Sequence, residues 1–86
     1  MADAHYNKGN VLTSLERNDE ALISFDKAID AKSSDKKYYQ NRGMVKQTLG
    51  DDKGAIEDFN KVLELRPSDA KAIYNRGTSY VKLGEY

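Results

Sequence analysis

The chain has 86 residues, a third of them charged, and 14 basic side chains balance 14 acidic ones to a formal net charge of zero. That balance speaks against a nucleic-acid binder, which carries a basic excess, and the absence of cysteine excludes a disulfide framework and a thiolate metal site. No apolar run approaches a membrane span and the N-terminus lacks a signal-peptide core, so membrane insertion is not expected and cytoplasmic residence is only the default.

Helix is the one regular period along the chain, and five helices are predicted, over 2–15, 18–31, 36–49, 52–65 and 70–83. The first carries His5, Gly9 and Leu12, and Asn18 is a cap candidate for the second, which carries Ala21 and Phe25. In the third, Tyr39, Gly43 and Lys46 recur at i, i+4, i+7 and therefore share a face. Gly50 can take the left-handed conformation that ends it, with Asp51 or Asp52 capping the fourth helix. There Ala55, Phe59 and Val62 repeat the same spacing until Pro67, which cannot continue a helix. Ser34-Asp35 and Ser68-Asp69 are cap candidates for the third and fifth helices, and Gly84 ends the fifth. At about 14 residues each, these helices are marginal alone in water and must be stabilised by their neighbours.

The same features recur every 34 residues. Asn7-Lys8-Gly9 returns as Asn41-Arg42-Gly43 and Asn75-Arg76-Gly77; Leu15 returns as Leu49 and Leu83; Ala21, Phe25 and Lys27 return as Ala55, Phe59 and Lys61. A fixed period of this length marks a stacked-repeat architecture, in which no unit buries its apolar face alone. Gly43 in mid-helix costs about 1 kcal/mol relative to alanine, and close approach of the Ala55 and Phe59 helix accounts for its presence. Gly9, Ala21 and Phe25 are the same triple in the first unit.

This pattern resembles the tetratricopeptide repeat, a 34-residue helix-turn-helix unit with an aromatic, Leu-Gly, a second aromatic, Ala-x3-Phe and a closing Pro. Tyr39, Arg42-Gly43, Lys46, Ala55-x3-Phe59 and Pro67 carry it in the second unit. His5, Lys8-Gly9, Leu12 and Ala21-x3-Phe25 carry it in the first, and Ile73, Arg76-Gly77 and Tyr80 in the third. Lys8, Arg42 and Arg76 depart from the usual Leu; such residues can lay their stems along the interface and keep their heads in water, and Arg42 is a candidate partner for Asp58. Lys46 in place of an aromatic should loosen the second unit, and Ser33 in place of Pro should soften the first junction. The resemblance implies an all-α helix-turn-helix repeat solenoid, a right-handed superhelix of two full repeats plus one extra helix. Residues 1–86 are expected to form a single repeat domain, with units at 2–35 and 36–69 and a partial unit at 70–86. The half-length third unit suggests an excerpt of a longer array.

In the family, the first helix of each pair lines a concave groove, which implies a protein-interaction module, scaffold or adaptor. The expected groove residues are Tyr6, Asn10 and Thr13, then Lys37, Gln40, Asn41, Met44 and Gln47, then Lys71, Tyr74, Asn75 and Thr78. Charge is segregated. Helix 36–49 holds Lys36, Lys37, Arg42 and Lys46 and no acid, and helix 70–83 holds Lys71, Arg76 and Lys82 and no acid. The second helices carry Asp19, Glu20, Asp26 and Asp30, then Asp52, Glu57, Asp58 and Glu64. A basic groove would attract an acidic or carboxylate-bearing peptide or protein; the alternative is that these charges pair across helix interfaces. Some family members hold the C-terminal carboxylate of heat-shock chaperones with a clamp of Lys, Asn and Arg. Asn10, Asn41 and Lys71 match that clamp, but Tyr6 and Asn75 stand where it needs cations, so chaperone-tail binding is not the leading expectation.

Gly77 and Tyr80 face the place where a sixth helix would pack. An array without a polar cap exposes apolar surface, and self-association into a homo-oligomer through this end is the alternative function. No enzyme is expected and no cofactor. His5 occupies a packing position of the repeat, acidic pairs such as Asp51-Asp52 sit at helix starts where the dipole favours them, and 50–54 lacks the features of a phosphate loop. No set of side chains has metal-ligand spacing.

Overall fold

The computed structural model describes residues 1–84, which form five α-helices: α1 (Ala2–Ser14), α2 (Asn18–Ala31), α3 (Lys36–Thr48), α4 (Asp52–Leu65) and α5 (Ala70–Lys82). The ends fall within one residue of the boundaries expected from the periodicity. Glu85 and Tyr86, the close of the expected third unit, lie outside the described residues.

Local chemistry sets most of these ends. Asp35, Asp51 and Asp69 each occupy the cap position of the helix that follows, accepting from the backbone N–H groups of Lys37, Gly54 and Ala72 at 3.1, 2.9 and 3.0 Å. Such a side-chain acceptor satisfies one of the donors a helix start leaves open. The first unit differs. Its cap position is Arg17, the counterpart of Asp51, and no side chain caps α2; Asn18 is the first helical residue instead of the cap. Arg17 pairs with Glu20 at 2.5 Å. Helices α3 and α5 are followed by Gly50 (φ 86°) and Gly84 (φ 77°) in the left-handed region, where glycine carries no steric penalty. The matching position after α1 is Glu16, at φ 60°.

The helices form an antiparallel sequence of neighbours, α1 on α2, α2 on α3, α3 on α4 and α4 on α5, with lighter contact between α1 and α3 and between α3 and α5. The assembly measures 37 × 26 × 17 Å. Two cores run through it, and each draws on more than one unit. Leu12, Ala21 and Phe25 from α1 and α2 enclose Val45 from α3, with Tyr6 and Leu22 packed against them. Tyr39 and Val62 from α3 and α4 enclose Ala72 from α5, with Ile29 and Leu63 against them. Because each core borrows a residue from the next unit, stacking is what buries the apolar faces.

The glycines mark the closest approaches. A Cβ on Gly9 would stand 2.6 Å from the Phe25 ring, and one on Gly43 would stand 2.9 Å from Phe59. Phe25, Phe59, Ala21 and Ala55 are fully buried. Ring, small residue and missing side chain together let α1 meet α2, and α3 meet α4, at the separation both cores need.

Candidate interaction surface

Helices α1, α3 and α5 each present one side to a shared face, because a first helix in one unit touches the first helix of the next. A cleft of about 490 Å³ crosses that face, lined by Asn10, Thr13, Asn41, Met44, Val45, Gln47, Thr48, Lys71 and Lys82. Six of the residues expected to face the groove are among them: Asn10, Thr13, Asn41, Met44, Gln47 and Lys71. Val45, Thr48 and Lys82 are additions that the sequence reading does not place there. Lys82 has a detectable signal, since it follows Lys71 by 11 residues, close to three helical turns, and so returns to the same side of α5.

The remaining expected groove residues have other surroundings. Tyr6 packs against Phe25 and Tyr38 at ring separations of 6.0 and 5.2 Å. Lys37 lies 3.5 Å from Asp3 and 3.6 Å from Asp35 and sits over the Tyr6 and Tyr38 rings. Gln40 is buried at the α3–α5 junction and donates to Asp69 at 3.3 Å, so its side chain is committed to packing. Tyr74 is 75% exposed. Asn75 is half-buried and its backbone carbonyl accepts from Gln47. Thr78 is half-buried and donates to the Tyr74 carbonyl.

Hydrogen bonds hold the cleft floor in place. Asn41 donates to Asn10 Oδ1 at 2.7 Å and to the Tyr6 hydroxyl at 3.2 Å, tying α3 to α1. Gln47 donates at 2.8 Å both to the Asn75 carbonyl and to Ser79 Oγ, tying α3 to α5. Ser79 is fully buried and donates in turn to Asp52 at 3.0 Å. Sequence reasoning misses this Gln47–Ser79–Asp52 relay because it does not repeat. One unit earlier the three positions are Thr13, Val45 and Asn18, and the Val45 side chain has no polar atom to link the other two.

Charge along α3 is set by which of its cations find carboxylates. Lys36 pairs with Asp69, Lys37 with Asp3 and Asp35, Arg42 with Asp26 and Asp58, and Lys46 with Asp58. Every cation of α3 is therefore neutralised by acids of other segments, and the segregated charge counted along the sequence largely cancels in space. Burial works against the Arg42 charge, but the Asp58 and Asp26 carboxylates outweigh it and hold the guanidinium more firmly protonated than usual. The Lys36 ammonium, the Ala72 N–H and Gln40 together pull the Asp69 carboxyl down to about 2. At the edge of the face, Asp3 accepts from the Tyr38 hydroxyl at 2.5 Å and pushes that phenol up to about 12. Lys71 and Lys82, by contrast, form no ion pair among the described residues and both line the cleft.

Among the described residues, no helix packs over the outer face of α5. Ile73 is 49% exposed, and a Cβ on Gly77 would meet nothing within 4 Å. Among the described residues there is no cluster of three or more side chains able to hold a metal ion, and no helix is long and apolar enough to cross a membrane.

Residues 2–35 match the family model described as "Tetratricopeptide repeat", and residues 48–84 match that described as "TPR repeat". A search of curated proteins finds no match to the sequence. Among solved structures, the chain superposes on MamA with a TM-score of 0.95 at 24% identity, over 98% of this chain and 49% of MamA. It superposes on the first TPR of Spaghetti (RPAP3), bound to the HSP90 peptide SRMEEVD, with a TM-score of 0.92 at 28% identity, over 95% of this chain and 65% of the other. The Arabidopsis OM64 TPR domain gives 0.93 at 24% identity, over 96% of this chain and 69% of that domain. This chain thus spans about half of the MamA structure and just under two thirds of the first Spaghetti structure.

Proposed function

The chain belongs to the tetratricopeptide repeat family, a protein-interaction fold, and on that premise we propose that it binds an extended, carboxylate-bearing segment of a partner protein in the cleft across α1, α3 and α5. The observation that carries this reading is the contrast between cations. Those of α3 are held by internal carboxylates, whereas Lys71 and Lys82 line the cleft with no such partner among the described residues. The Asn10 Nδ2 group, which makes no hydrogen bond among the described residues, offers a donor along the same floor, while Asn41 and Gln47, whose N–H donors are spent, offer only carbonyl acceptors for backbone N–H groups of the ligand, and Met44 offers adaptable apolar area. Tyr74, exposed on the helix that carries Lys71, adds an aromatic contact at the rim.

The spacing of the two lysines describes the ligand. Eleven residues of helix separate them by about 16 Å, which an extended peptide covers in about five residues. The partner segment carries acidic groups, one of which can be a free C-terminus, separated by that distance. Two similar structures carry the peptide SRMEEVD. Here Tyr6 and Asn75 offer no charge, so binding of that peptide is expected to be weaker than binding of one matched to the Lys71–Lys82 spacing.

Selection from a displayed library of C-terminal peptides tests the reading. Enrichment of sequences with two acidic positions about five residues apart, lost on Lys71→Ala with Lys82→Ala and retained on Lys37→Ala, is the expected result. Enrichment of basic or purely apolar sequences, or enrichment indifferent to both lysines, would overturn it.

A second reading, homo-association through Gly77 and Tyr80, is favoured by the exposure of Ile73 beside them. It requires concentration-dependent mass in light scattering that falls on Tyr80→Glu; a monomer at all concentrations sets it aside.

A further inference from the structure

The two turns between repeat units match in register: Lys32, Ser34 and Asp35 of the first correspond to Arg66, Ser68 and Asp69 of the second. Internal bonds fix both turns. The Ser33 carbonyl accepts from the Tyr39 hydroxyl at 2.8 Å, and the Arg66 carbonyl accepts from the Asp69 N–H at 3.1 Å. Lys36, at the start of α3, pairs with Asp69, at the cap of α5, and so joins the turns to each other. Between them lies a pocket of about 430 Å3 lined by Lys32, Ser34, Asp35, Lys36, Leu65 and Arg66. Its one acid is spent: Asp35 accepts from the Lys37 N–H at 3.1 Å and lies 3.6 Å from the Lys37 ammonium. Lys36 is likewise committed to Asp69. Lys32 and Arg66 occupy the C-cap positions of α2 and α4, where a cation suits the helix dipole. Yet the Lys32 ammonium, the Arg66 guanidinium and the Ser34 hydroxyl form no hydrogen bond or ion pair among the described residues, and all three residues are exposed.

We infer that this pocket binds a phosphate group, free or carried on a small ester, through Lys32, Ser34 and Arg66. The three donors differ in kind and come from two turns. Arg66 offers a planar fork, Lys32 a point charge and Ser34 a single hydroxyl. A phosphate presents its oxygens in tetrahedral directions and can meet all three, whereas a carboxylate presents two oxygens in one plane. The volume is many times the share of one water molecule, about 30 Å3, so a polyatomic anion has room. The Lys36–Asp69 pair already joins the walls, so little ordering opposes binding. The bound anion would link Lys32 of the first turn to Arg66 of the second and stiffen the stacking of one unit on the next. The pocket is built by residues 32–66 and shares none with the cleft of Lys71 and Lys82.

The test is a titration of 15N-labelled chain with orthophosphate, and separately with glycerol phosphate, at constant ionic strength and pH. Saturating shift changes at the backbone amides of Ser34 and Arg66 are expected, with a Kd of about 1 mM or tighter. Saturation by both probes admits small esters, and saturation by orthophosphate alone assigns the site to the free anion. Acetate at the same ionic strength should give no saturation. Lys32→Gln with Arg66→Gln should weaken binding about tenfold or more, and Ser34→Ala should weaken it less. All three side chains are exposed, so the amide pattern of the fold and the affinity for cleft peptides should stay unchanged in these variants. Shifts that rise without saturation, an equal response to acetate, or binding indifferent to Lys32 and Arg66 would overturn the inference.

Discussion

At Gly43 a methyl group would stand 2.9 Å from the Phe59 ring and 3.2 Å from Asp58 Cβ, while at Gly77 it would meet nothing within 4 Å. Alanine favours a helix over glycine by about 1 kcal/mol, so the two substitutions should have opposite signs at equivalent positions. Gly77→Ala should stabilise by about 1 kcal/mol, raising Tm by several degrees. Gly43→Ala should destabilise by about 1–2 kcal/mol, because buried Phe59 cannot retreat without repacking. Urea titration of both variants checks this; a stabilised Gly43→Ala would mean that the close approach is not needed. Asp69 is the second residue with a measurable signature. Its carboxyl is held down at about 2 by Lys36, the Ala72 N–H and Gln40, below its value in the unfolded chain. Its contribution is therefore complete above the ordinary carboxylate range and is lost as pH falls from about 4 towards 2. Asp69→Asn keeps a cap acceptor but loses the charge-assisted contact with Lys36, so it should lower stability by about 1–2 kcal/mol near neutrality, with the gap to wild type closing at about pH 2. A gap independent of pH would show that the charge is not involved. Asp69 was legible as a cap from Ser68-Asp69, but its bonds to Lys36 and Gln40 were not, since those lie 33 and 29 residues away.

At the scale of helices, period and punctuation were enough. The recurrence of Gly, Ala and Phe placed five helices to within a residue, because caps and left-handed glycines act locally. The exception at Asn18 has a local cause as well: the first unit puts Arg17 where the second puts Asp51, so the cap side chain is absent. Charge behaved differently. Counted along each helix, α3 is wholly basic, yet its cations are neutralised by acids from other segments, which no single-helix count reveals. The Arg42–Asp58 pair joins α3 to α4 and was legible from register alone. With Asp58 almost fully buried, removing one partner strands the other, so Asp58→Ala should destabilise by about 3 kcal/mol. A double-mutant cycle with Arg42→Ala should recover a coupling of about 1–3 kcal/mol. Additive losses would mean that Lys46 or solvent replaces Arg42 at Asp58.

For the whole molecule, the two cores explain why the proposed binding site is a surface shared by several helices. Val45 closes the core of the first unit and Ala72 that of the second, so the first helices are locked side by side and their common face is held open as a cleft. The family and fold were readable from sequence because stacking repeats one solution. The cleft was only half readable, because the second helices and the turns decide which lysines remain unpaired. The most direct test is an NMR titration of 15N-labelled chain with an acidic peptide matched to the Lys71–Lys82 spacing. The expected result is shift changes in the side-chain amides of Asn10, Asn41 and Gln47 and in the backbone around Lys71 and Lys82, abolished by Lys71→Ala with Lys82→Ala. Changes confined to the outer surfaces of α2 and α4, or changes that survive loss of both lysines, would contradict the account.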